Sequence, residues 1–221
     1  MPDSDLTLGF DTSAAHCAAA LLSGDRVLAE TVEPMTKGQA ERLFPLLQDL
    51  LKGADADWKD LSRIGVGIGP GNFTGVRISV AAARGLALSL GIPAIGVSGP
   101  DAMALDLPRP LRVIIPAARG EMICQEFPAD PGQPEGQIRL IRELPDDGLP
   151  STGPGAPAGL APAHPLAPAY PLAPVYPLAV AIARIARARA LTGDAVTRPA
   201  PIYLRPADAA PPRDPAPRII P

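Results

Sequence analysis

Apolar residues near the start of the chain fall into three short runs separated by turn-forming residues. The first run covers residues 6–10, and two further runs, residues 17–22 and 26–33, flank the turn signal Ser23-Gly24-Asp25. Short apolar runs on both sides of a glycine-containing turn are typical of a β-hairpin. The pattern therefore predicts that the chain opens with three consecutive strands.

Two longer stretches repeat their apolar residues every three or four positions, which predicts amphipathic helices. The second, residues 76–90, follows a buried strand predicted at residues 63–68 and precedes a short strand at residues 94–97. Pro45 lies inside the first helix and predicts a kink or a restart there. The apolar positions of the first helix are Ala40, Leu43, Phe44, Leu47, Leu50 and Leu51. The order β-β-β-α-β-α-β predicts an α/β fold, a mixed sheet with helices packed against it.

The middle of the chain begins in the same way as its start. Residues 112–115 and 122–127 flank Arg119-Gly120-Glu121 and predict a second hairpin, and residues 138–144 predict a third strand. No matching helix follows directly. The pattern therefore predicts a truncated duplication of the first unit.

Proline marks a change in character, because 18 of the 30 prolines follow residue 144. A six-residue repeat covers residues 161–178, and its many fixed φ angles favour an extended strap or linker. The alternative is a proline-repeat interaction module. Residues 179–191 return to helical periodicity, and their basic residues form either a solvated face or an RNA-contacting stripe. These basic residues are Arg184, Arg187 and Arg189.

These changes divide the chain into three parts. We expect a complete N-terminal domain at residues 1–104 and a reduced second domain at residues 105–198 that carries the proline-rich insert 161–178. Residues 199–221 are expected to form a C-terminal tail.

Composition narrows the class of protein. The 221 residues carry 20 basic and 23 acidic side chains, and the net charge of −3 does not favour nucleic-acid binding by the chain as a whole. Two cysteines exclude a disulfide-rich scaffold and a cysteine-rich zinc site. The acidic N-terminus lacks the pattern of a signal peptide, and proline, glycine or arginine interrupts every long apolar segment. We therefore expect a soluble, cytoplasmic protein without a membrane span.

The sequence Gly69-Pro70-Gly71-Asn72-Phe73-Thr74-Gly75 joins a predicted buried strand to a predicted helix. Backbone N–H groups at such a turn, together with the helix dipole, can hold a phosphate. The spacing matches neither a P-loop nor a dinucleotide-binding fingerprint, so tight-turn geometry and phosphate binding both stay open. Thr74 is the expected N-cap of the following helix.

Asp11-Thr12-Ser13 ends the first predicted strand, where these side chains either orient a metal ion or phosphate or form an ordinary polar turn. The sequence has no zinc-binding histidine pair and no serine-hydrolase elbow, and His16 and His164 are far apart. We therefore predict no catalytic residue, no metal site and no cofactor. The alternative is an independent ATPase or phosphotransferase that uses Asp11 and the turn at residues 69–75.

Three segments together resemble one protein family. Residues 69–80, the turn Asp11-Thr12-Ser13 and the late motif Pro201-Ile202-Tyr203-Leu204-Arg205 resemble the TsaB (YeaZ) family of bacterial tRNA threonylcarbamoyladenosine biosynthesis. The resemblance implies an actin-like, sugar-kinase and Hsp70 ATPase-type fold, an RNase H-like mixed sheet flanked by helices. The phosphate-loop-like positions that match the family motif are Asp11, Thr12, Ser13, Gly69, Gly71, Thr74, Gly75 and Arg77.

The same resemblance implies a non-catalytic subunit. Members of the family pair with the related catalytic subunit TsaD and, with the ATPase TsaE, support transfer of threonylcarbamoyl to the adenosine beside the anticodon in tRNAs that read codons beginning with A. It also implies that tRNA is reached through the complex and that the isolated chain can form a homodimer. The partner interface implied for the two N-terminal helices comprises Leu43, Phe44, Leu47, Val76, Val80 and Ala83.

The hydrophobic pattern by itself gives these helix residues a different role. Each helix needs one apolar face for its own sheet, so an intramolecular core is the better explanation on pattern alone. If the residues instead form the interface, arginine at Val80 or Ala83 is expected to leave the monomer folded and to block pairing. The two interpretations make opposite predictions about burial.

Overall fold

A five-stranded mixed sheet is the centre of the computed structural model, which describes residues 5–130, 132–156, 172–192 and 197–205. Its strands are β1 (Leu6–Asp11), β2 (His16–Ser23), β3 (Arg26–Pro34), β4 (Leu61–Gly67) and β5 (Ala94–Val97). They lie in the order β3-β2-β1-β4-β5, and β1 pairs antiparallel with β2 and parallel with β4. The predicted three-strand opening and the predicted mixed sheet are confirmed.

Helices α1 (Gln39–Gly53) and α2 (Phe73–Leu90) cover one face of this sheet, and a short helix, α3 (Gly99–Ala104), follows β5. Helix α1 buries five leucines, and α2 buries small and β-branched residues against the same core. The predicted restart at Pro45 does not occur. This proline lies on the solvent side of α1. Water can therefore donate a hydrogen bond to the helix carbonyl oxygen that the missing proline N–H leaves without a donor.

Helix α2 is also the one helix, within the described parts of the chain, that is long and apolar enough to cross a membrane. The sequence-based expectation that arginine and glycine interrupt every such segment is therefore too strict. One face of α2 packs in the core formed with the five-stranded sheet, and core helices of water-soluble proteins meet the same criterion.

The second sheet contains the second predicted hairpin. Strands β6 (Leu111–Pro116) and β7 (Met122–Phe127) pair antiparallel, which confirms that prediction. The predicted third strand is shorter than expected, β8 (Arg139–Ile141), and β9 (Ser151–Thr152) pairs with β6 without a sequence signal. The order of this sheet is β8-β7-β6-β9.

Helix α4 (Leu178–Leu191) covers the opposite face of the five-stranded sheet. Two glycines in the sheet allow its close approach, since a Cβ at Gly9 would collide with Ala183 and one at Gly65 would collide with Ala186. This helix falls in the predicted second domain, yet it completes the core of the first sheet. The predicted division after residue 104 therefore does not separate two independent packing units.

Most of the predicted proline repeat, and most of the predicted tail, lie outside the described residues. The last unit of the repeat, residues 173–178, leads directly into α4. The Tyr176 hydroxyl donates to Asp106 Oδ2 (2.8 Å), and the Arg184 guanidinium lies 4.5 Å from the centroid of the Tyr176 ring. This unit is therefore anchored to its surroundings by a side chain of its own.

The basic face of α4 is paired within the chain. Arg187 Nε donates to Asp5 Oδ2 (2.6 Å), and Arg189 Nη2 donates to Asp101 Oδ2 (2.9 Å). Arg184 is held against the turn that precedes β3. These contacts tie α4 to earlier parts of the chain, so the face that the sequence left open as an RNA stripe has a structural role.

Asp5 gives the fold an acid-sensitive contact. Hydrogen bonds from Arg63 and Arg187 lower the pKa of its carboxyl group. With a lowered folded-state pKa, ionised Asp5 stabilises the fold above the pKa of the unfolded chain, and this contribution is lost as the pH falls through the folded-state pKa. We expect Asp5→Asn to lower the thermal midpoint at pH 7 and the difference from the native chain to vanish well below about pH 4. A difference that persists unchanged in acid would contradict this assignment.

Candidate functional site

The glycine-rich turn at residues 69–75 lies directly against the turn that follows β1. Thr12 Oγ1 donates a hydrogen bond to the carbonyl oxygen of Gly75 (2.6 Å), and the backbone N–H of Asn72 donates to the carbonyl oxygen of Ser13 (2.6 Å). Thr12 and Gly75 are 63 positions apart. The fold therefore brings into contact the two motifs that the sequence singles out.

The glycines of the turn permit this contact because they lack side chains. A Cβ at Gly75 would collide with the carbonyl oxygen of Thr12, and a Cβ at Gly71 would collide with that of Ser13. Gly69 has a φ of 82°, in the left-handed region that favours glycine. Of the two explanations that the sequence left open, tight-turn geometry thus accounts for these glycines without a phosphate.

The buried carboxylate of Asp11 is held by its own turn. Its Oδ1 accepts hydrogen bonds from the Ser13 backbone N–H (2.9 Å) and the Ser13 hydroxyl (2.8 Å), and it lies 2.9 Å from His16 Nε2. Oδ2 packs against Gly67, where a Cβ would collide with it. Oδ1 is therefore bonded within its own turn, as expected of a polar turn, while Oδ2 faces the backbone of Gly67.

Asn72 caps helix α2. Its Oδ1 accepts hydrogen bonds from the backbone N–H groups of Thr74 (3.0 Å) and Gly75 (3.0 Å). The prediction of Thr74 as the N-cap is wrong, because Asn72 reaches the first free N–H groups of the helix. Since the N–H of Asn72 itself bonds Ser13, three donors that a phosphate would use at this helix start are already paired.

Arg77 connects the glycine-rich motif to the C-terminal motif. Its Nε donates to the Tyr203 hydroxyl (2.7 Å), and its guanidinium carbon lies 3.6 Å from the centroid of the Phe73 ring. The Phe73 and Tyr203 rings are 5.3 Å apart, and the N–H of Ile202 donates to the carbonyl oxygen of Ile68 (2.9 Å). The sequence grouped these motifs only by resemblance, and no local signal places them in contact.

The C-terminal segment, residues 197–205, then continues to the second sheet. Arg205 pairs with Glu121, and its Nη2 lies 3.4 Å from the carbonyl oxygen of Ala118, in the turn between β6 and β7. This segment therefore links α2 to the second sheet through Tyr203 and Arg205, two residues apart at its C-terminal end.

Five of the six residues expected at the partner interface are buried inside this chain. Their exposed fractions are 1% for Leu43, 0% for Leu47, 2% for Val76, 3% for Val80 and 0% for Ala83. Their burial contradicts the expectation that they are available to a partner at the surface: Leu43, Leu47 and Ala83 pack in the core under the five-stranded sheet, and Val76 and Val80 are buried as well. Arginine at Val80 or Ala83 would put a charge into the core, so it is expected to unfold the chain rather than to block pairing selectively.

Helices α1 and α2 contact each other. Their solvent-exposed faces carry apolar residues other than the five buried ones. Phe44 of α1 is 47% exposed, and Leu88 of α2 is 83% exposed. Ala81 and Gly85 are exposed at four-residue spacing on α2, so they lie on one side of that helix. Exposed apolar residues on two helices that contact each other make this face a candidate for binding another protein.

The described ranges contain no group of three or more His, Cys, Asp or Glu side chains placed to hold a metal ion. Cys17 and Cys124 are both buried, and desolvation raises the pKa of each thiol. The thiolate is the reactive form of cysteine, so burial makes both thiols poor nucleophiles.

Comparison with known sequences finds one family profile and several relatives. The family described as "TsaD: tRNA N6-adenosine threonylcarbamoyltransferase" matches residues 26–128. The tRNA threonylcarbamoyladenosine biosynthesis protein TsaB of Bacillus subtilis is 42% identical over 97 residues, which cover 44% of this chain and 42% of that protein. The protein of the same name in Escherichia coli is 36% identical over 128 residues, which cover 56% of this chain and 55% of that protein. The matched segments span about half the length of these curated relatives.

Solved structures extend the likeness beyond these segments. YeaZ from Pseudomonas aeruginosa matches with a TM-score of 0.69 and 28% identity, over 90% of this chain and 100% of that chain. The predicted fold, an actin-like ATPase-type mixed sheet flanked by helices, is confirmed.

Proposed function

Because this chain belongs to the TsaB (YeaZ) family, we propose that it is a non-catalytic subunit of the machinery that transfers threonylcarbamoyl to tRNA. It pairs with a TsaD-like catalytic subunit and works with a TsaE-like ATPase in the cytoplasm. The target is the adenosine beside the anticodon in tRNAs that read codons beginning with A. Without its partner, the chain uses the same surface to form a homodimer.

One observation carries the non-catalytic part of the proposal: the glycine-rich turn is filled by the chain's own β1–β2 turn. The carbonyl oxygens of Thr12 and Ser13 lie against Gly75 and Gly71, where their negative ends would repel a phosphate. The N–H donors around Asn72 are paired within the protein. This arrangement favours a structural role for the motif over phosphoryl transfer.

The partner surface that we propose is the outer face of α1 and α2. Phe44 and Leu88 offer exposed apolar side chains. Ala81 and Gly85 are exposed and small enough for a partner helix to approach closely. The proposed interface stays on the same two helices, but its residues are no longer the five buried ones. It also keeps Phe44, the exposed residue of the original six.

Reconstituted tRNA modification tests the proposal. We expect the TsaD-like subunit, the TsaE-like ATPase and the enzyme that makes threonylcarbamoyl-adenylate to modify tRNA at least tenfold more slowly when this chain is left out. The purified chain alone should transfer nothing. Full-speed modification without the chain would contradict the scaffold role.

A nucleotide assay separates this role from the alternative of an independent ATPase or phosphotransferase. We expect no ATP turnover above background by the purified chain, since the motif around Asp11 is used for packing. Turnover that Asp11→Asn abolishes while the thermal midpoint is retained would favour the phosphotransferase. Asp11→Asn keeps the size of the side chain, so it separates charge from packing.

A further inference from the structure

Three exposed arginines of α2 and the C-terminal segment have no acidic partner, a property that they share, among the described residues, with Arg26 of β3. Most arginines pair with a carboxylate: Arg42, Arg63, Arg109, Arg112, Arg139, Arg142, Arg184, Arg187, Arg189 and Arg205. Within the residues that the structure describes, Arg77 and Arg84 of α2 and Arg198 of the C-terminal segment make no ion pair, and all three are exposed. Their charges are therefore available to an anion from outside the chain.

The elements that carry these arginines contain no acidic residue at all. Helix α2 and residues 197–205 include four arginines and neither aspartate nor glutamate, although the whole chain has a net charge of −3. These two segments therefore contribute only positive charges, of which that of Arg205 is paired with Glu121. A local excess of positive charge attracts a polyanion to a protein whose overall charge would repel it.

Two aromatic rings lie among these arginines. Phe73 is 45% exposed and Tyr203 is 48% exposed, and the Arg77 guanidinium stacks on the Phe73 ring. Exposed rings beside arginine guanidinium groups offer flat faces on which an unstacked nucleobase can pack, while the arginines contact phosphates. A purely acidic protein partner would use the charges but not the rings.

The geometry of α2 places these groups along one stripe. Phe73, Arg77 and Arg84 follow each other at spacings of four and seven residues, so they lie on the same side of the helix. The two arginines are about 10 Å apart along the helix axis at 1.5 Å per residue. The stripe is therefore long enough to contact more than one nucleotide.

We propose that the surface formed by Phe73, Arg77, Arg84, Arg198 and Tyr203, which we call the arginine–aromatic surface, binds RNA directly. The proposal rests on the proposed function, which supplies tRNA as the RNA and its unpaired loop nucleotides as the bases that stack. The chain then positions the tRNA as well as the catalytic subunit. Arg84 precedes Leu88 by one helical turn, so this surface adjoins the apolar set around Phe44 and Leu88 and would hold the RNA beside the catalytic subunit.

Binding of a fluorescently labelled anticodon stem-loop RNA by the full chain, alone and with the TsaD-like subunit, tests this surface. We expect the double variant Arg84→Gln and Arg198→Gln to bind at least tenfold more weakly at low salt. Losing two phosphate contacts should also reduce the slope of log affinity against log salt by roughly 1.5. The matched control is Arg26→Gln, an exposed arginine on β3 at the other edge of the five-stranded sheet.

The aromatic part of the surface has its own test. Phe73→Leu should weaken RNA binding by severalfold and leave the salt dependence unchanged, because base stacking releases no counterions. Equal binding by the native chain, the double variant and the Arg26→Gln control would overturn the proposal. So would equal competition by polyglutamate and by unlabelled RNA, since that result would identify a surface for an acidic protein.

Failure of this inference can be told apart from failure of the proposed function. Solution mass reports pairing with the TsaD-like subunit and does not depend on RNA. A double variant that pairs normally and binds RNA like the native chain overturns only the arginine–aromatic surface. A native chain that does not pair at all overturns the proposed function.

Discussion

Replacing Gly75 with alanine should lower the free energy of unfolding by about 3 kcal/mol, the upper part of the range for overpacked sites. The new Cβ would collide with the carbonyl oxygen of Thr12, which is backbone and cannot rotate away. The matched control is Gly85→Ala in the same helix, where nothing lies within 4 Å of a Cβ. Because alanine favours helix over glycine, the control should raise stability by up to about 1 kcal/mol.

Urea unfolding of the two variants measures both changes on one scale. Opposite signs are the expected result, and they would show that the glycine-rich motif is maintained by a tertiary contact rather than by the helix. If Gly75→Ala were as stable as Gly85→Ala, the packing explanation of the motif would be wrong. Phosphate binding would then again be a possible explanation of the glycine-rich motif.

Replacing Phe44 and Leu88 together with glutamate should weaken pairing with the TsaD-like subunit by at least a hundredfold and leave the monomer folded. Both side chains are exposed, so their removal costs the isolated chain little. At an interface, the same change buries two charges without partners and removes two apolar contacts.

The control for this pair is Val32→Glu, because Val32 is 56% exposed on β3 and pairs with Ala18, which faces α4. It should pair normally, since α1 and α2 cover the other face of the sheet. Solution mass of each mixture, with the thermal midpoint of each variant, is the measurement. Normal pairing by the double variant would move the interface away from the outer face of α1 and α2.

Local patterns in the sequence predicted the strands and helices of the first sheet correctly, because alternation and turn residues act over short distances. The hairpin around Ser23-Gly24-Asp25 and the stripe of leucines in α1 are examples. The same stripe indicated that Leu43 and Leu47 belong to a core, and burial confirms it. The resemblance assigned them to an interface, since it transferred a helix face without testing which side of the helix is covered.

Contacts between distant parts of the chain could not be predicted in the same way. Gly71 and Gly75 are explained by a turn that lies some 60 positions earlier. Tyr203 reaches Arg77 across 126 positions, and neither residue carries a local sign of the other. The wrong prediction of Thr74 as the N-cap of α2 has a local cause. Both Asn72 and Thr74 are acceptable caps, and only the path of the backbone decides between them.

Helix α4 has a consequence for how this protein is made. The face of the first sheet that it covers, which includes Ala18, Ala20 and Leu22, is complete only when residues 178–191 have been synthesised. About 80 residues separate β5 from α4, so at 5–20 residues per second that face stays uncovered for roughly 4–16 s during translation. The emerging chain therefore presents an apolar sheet surface to the ribosome exit region and to chaperones before its last helix arrives. Slower translation of residues 105–177 would lengthen this exposure and raise aggregation without altering any residue of the sheet.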